Sequence, residues 1–475
     1  MFFHAAEGAG AAVCRALPFV CRTIFWSGGI RWGMFSELFP GGVYFIGIGG
    51  VSMSALARLL SAHGVRVRGS DAAEGPFLSM LRKAGIPVSL GCEEIISEDT
   101  VVFTGAVDGN HPQLAAARRA GKRLLPRAEL LGMIAERFKR TVSFAGCHGK
   151  TTATAMLSHI LSGRLLFTCH IGGEDLTLSN YHAEGEEAFV TEACEFQRSF
   201  LALKSSIAVI LNIELDHTDC YHSEEELFAA FREFAGRAER VIVNADDIRA
   251  RSLPHALSFG LFSGEIRASA LKSSGERYSF TVTEKGVPLV RVHLGVAGKV
   301  HIYNALAAFA AARLLGLAPQ EIADGLSSFR GVKRRFEQVG FLYGVPVISD
   351  YAHHPREIAA AIQTAQAVAE GTVHVVFQPH TYTRTRDLME DFVAALKAAE
   401  SPVIYRTYAA REKFLFSGSA VMLAARLPEA CYVQSPEQLW RVLAEKARPR
   451  DLILILGAGD LDALVREMLQ KTPSR

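Results

Sequence analysis

Residues 141–152 read Thr141-Val-Ser-Phe-Ala-Gly-Cys-His-Gly-Lys-Thr-Thr152. A β-prone run ends in a loop with two glycines, a lysine and paired threonines, and helix-forming residues follow. This predicts a strand, a phosphate-cradling loop and a helix entered at about Thr151. The glycines Gly146 and Gly149 let backbone N–H groups approach phosphate oxygens around Cys147 and His148. The helix N-terminus adds a favourable dipole, Lys150 supplies a cation, and Thr151, followed by Thr152, is placed to ligand Mg²⁺. The loop is shorter than the common G-x-x-x-x-G-K-[ST] pattern. A glycine turn with a surface lysine is the plain alternative, and the flanking strand and helix argue against it.

Upstream, Val43–Gly47 reads as a strand, Gly47-Ile48-Gly49-Gly50 as a turn, and Met53–His63 as a helix. Strands follow at Val65–Arg68, which runs into Gly69-Ser70-Asp71, and at Thr100–Thr104. The glycine run resembles a dinucleotide fingerprint, with Ser52 at the third glycine position and Asp71 where a ribose-binding acid would sit. Two readings stay open here: a nucleotide diphosphate site, or a tight turn that permits close helix packing.

Downstream, strands are expected at Ala188–Thr191, Ile207–Asn212 and Val241–Asn244, with a helix at Glu224–Phe234. Alternating segments follow Leu253, then an alanine-rich helix at Tyr303–Leu315 and a boundary near Gly331. A last block carries apolar strands at Val345–Ser349, Val373–Phe377 and Leu452–Leu456. The expected fold is α/β in three domains. These are a Rossmann-like amino-terminal domain (34–138), a central P-loop ATPase-type domain (139–331) and a Rossmann-like carboxyl-terminal domain (332–475). Residues 1–33 form an uncertain extension, and Met34 is an alternative translation start.

Composition narrows the function classes. A net charge of +2 across 475 residues gives no support for a nucleic-acid partner, which usually needs a concentrated basic surface. The eight cysteines include no C-x-x-C pair, which argues against a zinc knuckle or disulfide framework and fits a reducing cytoplasm. No apolar run reaches the length of about eighteen residues that a membrane span needs. Residues 1–33 are a poor signal peptide because Arg22 interrupts the apolar stretch.

Several strand ends carry chemistry. Glu192 and Glu195 follow one strand; Glu214, Asp216 and His217 follow another. Carboxylates and neutral imidazole at neighbouring strand ends can hold Mg²⁺ beside a triphosphate, whereas solvated loop charge is the plain alternative. The last block adds Arg335, Asp350, His353, His354, His380, Arg384 and Arg386, a set suited to clamping phosphate and carboxylate groups. Structural histidines are the alternative there.

Taken in order over residues 42 to 465, these motifs resemble the Mur ligase family, and in detail its alanine-adding member. The resemblance implies that Gly47, Ile48, Gly49, Gly50, Ser52, Met53, Ser70, Asp71 and Arg127 receive the UDP portion of UDP-N-acetylmuramate. It implies that Gly146 to Thr152, Asn304, Arg335 and Asp350 bind ATP. Thr151, Glu192 and His217 would hold Mg²⁺, with Mn²⁺ as the alternative ion. Lys150, Glu192, His217, Arg335 and Asp350 would be catalytic, and Tyr351, His380 and Arg384 would hold L-alanine. The implied activity is ATP-dependent joining of L-alanine to the lactyl carboxylate of UDP-N-acetylmuramate through an acyl phosphate, in the cytoplasm, as a step of peptidoglycan precursor synthesis.

The chain departs from the family pattern in three places. The His-Asn-x-x-Asn segment is Val300-His301-Ile302-Tyr303-Asn304, so a histidine stands where an amide is usual. Cys194-Glu195-Phe196-Gln197 replaces an acidic Asp-Glu-Ser-Asp run, and Thr381 replaces an arginine. Competing functions are a recycling ligase that adds a preformed peptide to the same sugar nucleotide, a nicotinamide-dependent dehydrogenase using Gly47–Gly50, and a noncatalytic nucleotide-binding regulator.

Overall fold

The computed structural model describes residues 34–92, 96–105, 107–214, 220–274, 277–410 and 412–471. Asp216, His217 and residues 1–33 lie outside the described residues. Three sheets succeed one another along the chain. The first contains β1 (Val43–Ile46), β2 (Val67–Asp71), β3 (Val88–Leu90), β4 (Thr100–Phe103) and β5 (Arg123–Pro126). Its order is β3-β2-β1-β4-β5, parallel throughout. The order reverses beside β1, so the glycine turn after β1 opens at the crevice where such sheets bind ligands. The strand expected at Val65 starts at Val67, because the Val65 amide is used to close the preceding helix on Leu60 O.

The second sheet contains β6 (Thr141–Ala145), β7 (Phe167–Asp175), β8 (Ser179–Ala183), β9 (Ala188–Ala193) and β10 (Ile207–Ile210). It continues through β11 (Arg240–Asn244), β12 (Leu257–Gly260), β13 (Ile266–Ser274), β14 (Arg277–Glu284) and β15 (Val287–Ala297). The order is β15-β14-β13-β12-β11-β10-β6-β9-β7-β8. β6 lies between β10 and β9, parallel to both, with Ala145 opposite Ile210 on one side and Ala193 on the other. The loops after these three strands therefore leave the sheet together.

Two helices, Lys150–Leu161 and Val300–Leu315, pack on this sheet around fully buried Leu157, Ile160, Leu306 and Phe309. Ala305, Ala307, Ala308, Ala310, Ala311 and Ala312 are all buried, and their small side chains let the helix approach closely. The second helix starts at Val300, earlier than its alanine run, because burial of Ile302 outweighs the modest helix propensity of β-branched residues.

The third sheet contains β16 (Glu337–Leu342), β17 (Val345–Asp350), β18 (Val373–Phe377), β19 (Val403–Tyr405), β20 (Cys431–Val433) and β21 (Leu452–Leu456), ordered β16-β17-β21-β18-β19-β20. Only the β16 edge is antiparallel. β17 and β18 flank β21 in register, so the loops after Asp350 and Phe377 emerge side by side. The connection into this sheet is fastened to the central one: Lys333 N donates to Glu174 O and Lys333 Nζ to Glu174 Oε1. Among the described residues no helix is long and apolar enough to cross a membrane.

Candidate active site

The loop after β6 needs its glycines for space and for conformation. Gly146 has φ +144° and Gly149 φ +87°, both in the region that side chains rarely adopt. A Cβ on Gly149 would lie 2.4 Å from Asn304 Oδ1, and one on Gly146 would lie 3.0 Å from Leu211 Cβ. Asn212, just past β10, pins the loop from the side: its Oδ1 accepts from His148 N at 2.9 Å and its Nδ2 donates to His148 O at 3.0 Å. Gly149 caps the helix Lys150–Leu161, whose first-turn N–H groups face the loop and favour an anion there.

Lys150 is half-buried and held by the buried Glu195, whose two carboxylate oxygens are each 3.0 Å from its Nζ. The ammonium also donates to the carbonyls of Gly146 and Cys147. Burial alone would lower the lysine pKa; Glu195 outweighs it and keeps the ammonium charged. Glu192, on β9, accepts from Gly172 N at 2.6 Å and faces the Thr151 hydroxyl. Burial pushes its carboxyl up, against the pull of Lys150. A hydroxyl and a carboxylate at one helix entrance are hard oxygen donors that suit Mg²⁺, an ion that keeps waters and substrate phosphates as its other ligands. Among the described residues no group of three or more His, Cys, Asp or Glu side chains is placed to hold a metal ion, so the described protein donors here are this pair.

His148 ties the loop to the third sheet. Its Nδ1 donates to Glu357 Oε1 at 3.1 Å, and Nε2 lies 3.4 Å from Glu214 Oε2. Burial would depress the imidazole, but Glu357 and Glu214 overcome it and hold its pKa at about 9. Glu357 also caps the helix Pro355–Val368, accepting from His353 N at 3.1 Å, and lies 3.8 Å from Arg335 Nη1. Arg356 adds a second crossing by donating to Glu214.

Between the sheets a cleft of about 310 Å³ is lined by Gly149, Asn244, Phe259, Tyr303 and Asn304. An adjoining space is lined by Thr152, Gly298, His301, Arg335 and Asp350. The larger volume sits at the lower end of the range for small-molecule sites. Asn304 Nδ2 is 3.4 Å from His301 Nδ1. Burial, reinforced by Arg335, lowers His301 to about 4, so its imidazole is neutral. Asp350 accepts from Phe336 N and Ala352 N, each at 2.8 Å; burial raises it to about 6 although Arg335 opposes the shift.

The amino-acid residues inferred from sequence gather at the ends of β17 and β18. The ring of Tyr351 meets His353 edge-on, His353 meets His380, and His380 stacks on Tyr408 with centroids 5.4 Å apart. Arg384 Nη1 donates to His380 O at 3.1 Å, and both Arg334 and Arg335 lie over the Tyr351 ring. Burial and then Arg384 lower His380 to about 4.

In the first sheet the glycine turn is fixed by Asp71, whose Oδ2 accepts from Gly49 N at 2.7 Å. Gly47 N and Ile48 N donate to Ser70 O. The Ser70 hydroxyl is buried and donates to Gln113, while Ile48 and Met53 lie in the hydrophobic core. Among the residues assigned to this station, Ser52 reaches the second sheet, its Oγ 2.8 Å from His170 Nε2, and Arg127 Nη1 donates to the same oxygen at 3.2 Å. Glu357, Asn212 and His170 are not among the site residues read from the sequence, and Glu195, read there as a metal-side carboxylate, is instead the partner of Lys150. Glu357 had a local signal, because an acid three residues after the N-cap position, here His354, is a capping pattern.

Three profiles of one family match in chain order: "Mur ligase family, catalytic domain" at residues 42–139, "Mur ligase middle domain" at 144–312, and "Mur ligase, glutamate ligase domain" at 334–459. A UDP-N-acetylmuramate–L-alanine ligase of Caldicellulosiruptor saccharolyticus is 36% identical over 454 residues, spanning 90% of this chain and 98% of that protein. One of Acetivibrio thermocellus is 39% identical, over 88% of this chain and 93% of that protein. The crystal structure of a UDP-N-acetylmuramate–alanine ligase from Thermotoga maritima superposes with a TM-score of 0.79 at 29% identity, covering 90% of this chain and 98% of that one. A murein peptide ligase from Psychrobacter arcticus shares the fold, with a TM-score of 0.71 at 22% identity over 90% of this chain and 98% of its own. With its three sheets, its phosphate loop and full-length relatives in agreement, the chain belongs to the Mur ligase family.

Proposed function

We infer that the protein joins L-alanine to the lactyl carboxylate of UDP-N-acetylmuramate at the expense of ATP, in peptidoglycan precursor synthesis. The observation that carries this reading is the convergence of the Gly146–Thr152 loop, Glu192 and the β10 end in the central sheet with Arg335 and Asp350 of the next. Relatives of that name, alike over nine-tenths of the chain, support it. The three stations are assigned to residues 34–138 for the UDP-sugar, 139–331 for ATP and 332–475 for the amino acid. The scattered free thiols, including Cys147, Cys169 and Cys194, support a cytoplasmic setting.

A carboxylate becomes an acyl donor once a phosphate leaving group is attached to it. The γ-phosphoryl group of ATP passes to the lactyl carboxylate, releasing ADP. The neutral amine of L-alanine then attacks the acyl phosphate, and the tetrahedral adduct collapses to amide and inorganic phosphate. The amides around Gly146–Gly149 and the Lys150 ammonium spread the charge that builds on the transferring group. Glu195 keeps that ammonium charged and aimed along the loop. Mg²⁺, or Mn²⁺, held by Thr151 and Glu192 and on family resemblance by His217, would neutralise phosphate charge. Asn304 and the neutral His301 line the nucleoside side, and Arg335 and Asp350 close it from the third sheet. Tyr351, His380 and Arg384 hold the amino acid, the arginine pairing with its carboxylate. Contacts of His148 and Glu214 with Glu357 and Arg356 keep the two sheets together and limit water access to the acyl phosphate.

The test is ADP release with ATP, Mg²⁺ and UDP-N-acetylmuramate while L-alanine, L-serine, glycine and a muropeptide tripeptide are offered in turn. Fastest release with L-alanine is expected. Release with the tripeptide alone would overturn the reading in favour of the recycling reaction.

A further inference from the structure

The helix Val51–Ala62, which opens from the first glycine turn, is gripped by the β7–β8 hairpin of the central sheet. Asn180 Nδ2 donates to Val51 O at 2.7 Å and to Ser54 Oγ at 2.9 Å. Arg58 Nη1 donates to Asn180 Oδ1 at 3.0 Å and lies over the Tyr181 ring. At the helix entrance, His170 Nε2 is 2.8 Å from Ser52 Oγ, and its other nitrogen, Nδ1, is 2.9 Å from Thr191 Oγ1. Thr191 directly precedes Glu192 on β9. His170 is 3% exposed. Burial, reinforced by Arg127, pulls its pKa down to about 3, so the ring is neutral, with one donor and one acceptor for its two hydroxyl partners.

We propose that His170 is a positioning residue for the UDP-sugar: by bridging Ser52 and Thr191 it fixes the first glycine turn relative to the strand that carries Glu192. The reason is geometric. The acceptor carboxylate is attached to a sugar nucleotide anchored in one domain, yet it must meet a phosphoryl group anchored in another. A small displacement between the two anchors costs rate and affinity steeply. The bridge joins residues 118 positions apart at one end and 21 at the other. Arg127 reaches the same Ser52 oxygen from the first domain, so a change at His170 passes directly to a cation beside the sugar-nucleotide crevice.

This role rests on the function proposed above, and its test separates the two. ADP release is measured as a function of each substrate for wild type, His170→Leu, His170→Gln, Ser52→Ala and the double variant His170→Leu/Ser52→Ala. His170→Leu is expected to raise KM for UDP-N-acetylmuramate about ten-fold, with KM for ATP unchanged, because the buried Thr191 hydroxyl and the half-buried Ser52 hydroxyl lose the ring that joins them. His170→Gln, whose amide again offers a donor and an acceptor, restores most of the loss. The double variant is no worse than the poorer single one. Should His170→Leu fail to fold, Ser52→Ala must show the same KM split. Additive losses, equal changes in both KM values, or no change would overturn the role of His170. Wild type that releases no ADP with these substrates would instead overturn the proposed function.

Discussion

Both carboxylate oxygens of Glu195 lie 3.0 Å from the Lys150 ammonium, at the base of the phosphate loop. The lysine is therefore neutralised by a buried partner before any phosphate arrives, and a nucleotide must share the ammonium with Glu195. Breaking such a pair from one side typically costs about 3–5 kcal/mol, because the remaining charge is left buried and unpaired. Glu195→Gln should lower the melting temperature of the nucleotide-free protein, and a nonhydrolysable ATP analogue should raise it more than in wild type, since phosphate supplies the missing anion. Thermal denaturation with and without the analogue checks this; equal shifts in both proteins would contradict it.

Lys150→Ala should abolish ADP release while UDP-N-acetylmuramate still binds with near wild-type affinity, because the stations proposed for the two ligands lie on different sheets. Calorimetric titration with the sugar nucleotide, alongside the ADP assay, separates these effects. Near wild-type turnover would remove Lys150 from the mechanism.

The ion pairs of His148 give the stability a pH dependence. With its pKa raised from about 6.5 unfolded to about 9 folded, the imidazolium contributes fully below the unfolded value. That contribution is lost as pH rises through the folded one, on the order of 3 kcal/mol in all. The melting temperature should fall between pH 7 and roughly pH 9–10 in wild type, and this slope should flatten in Glu357→Gln. Parallel slopes in the two proteins would show that the pair contributes nothing.

Glu192→Ala removes the carboxylate that faces Thr151. The Mg²⁺ concentration for half-maximal turnover should rise by about ten-fold or more, the size of effect seen when metal-site partners are lost. An unchanged Mg²⁺ dependence would count against Glu192 as a ligand. The same titration on His217→Ala tests the assignment that rests on family resemblance alone.

Gly149→Ala places a methyl group 2.4 Å from Asn304 Oδ1 at a φ of +87°. The backbone term alone is about 1–2 kcal/mol, and the clash adds to it. Loss of ATP turnover is expected, with a lowered melting temperature. Activity within two-fold of wild type would mean that the loop does not hold this conformation during turnover.

Much of this was legible in sequence because it is local. The phosphate loop from Gly146 to Thr152 is contiguous, its helix follows directly, and the apolar strands at Thr141–Ala145, Ile207–Ile210 and Leu452–Leu456 announce themselves by composition. The β7–β8 hairpin did not stand out, since Gly172 and Gly173 interrupt its apolar run. That hairpin is where His170 and Asn180 meet the first domain.

Family membership, the three-block order and the phosphate loop could all be read from the residues, because each is written in neighbouring residues with fixed backbone demands. What faces what emerged with the folded chain. Ser70, Ile48 and Met53 turn inward, while Ser52 reaches His170 of the second sheet and Arg127 backs it from its own domain. Lys150 rests on Glu195, and His148 meets Glu357 across a separation of 209 residues. Side-chain direction depends on strand register and helix phase, and pairing across domains depends on how whole sheets stack. Neither is encoded in any short stretch of the chain.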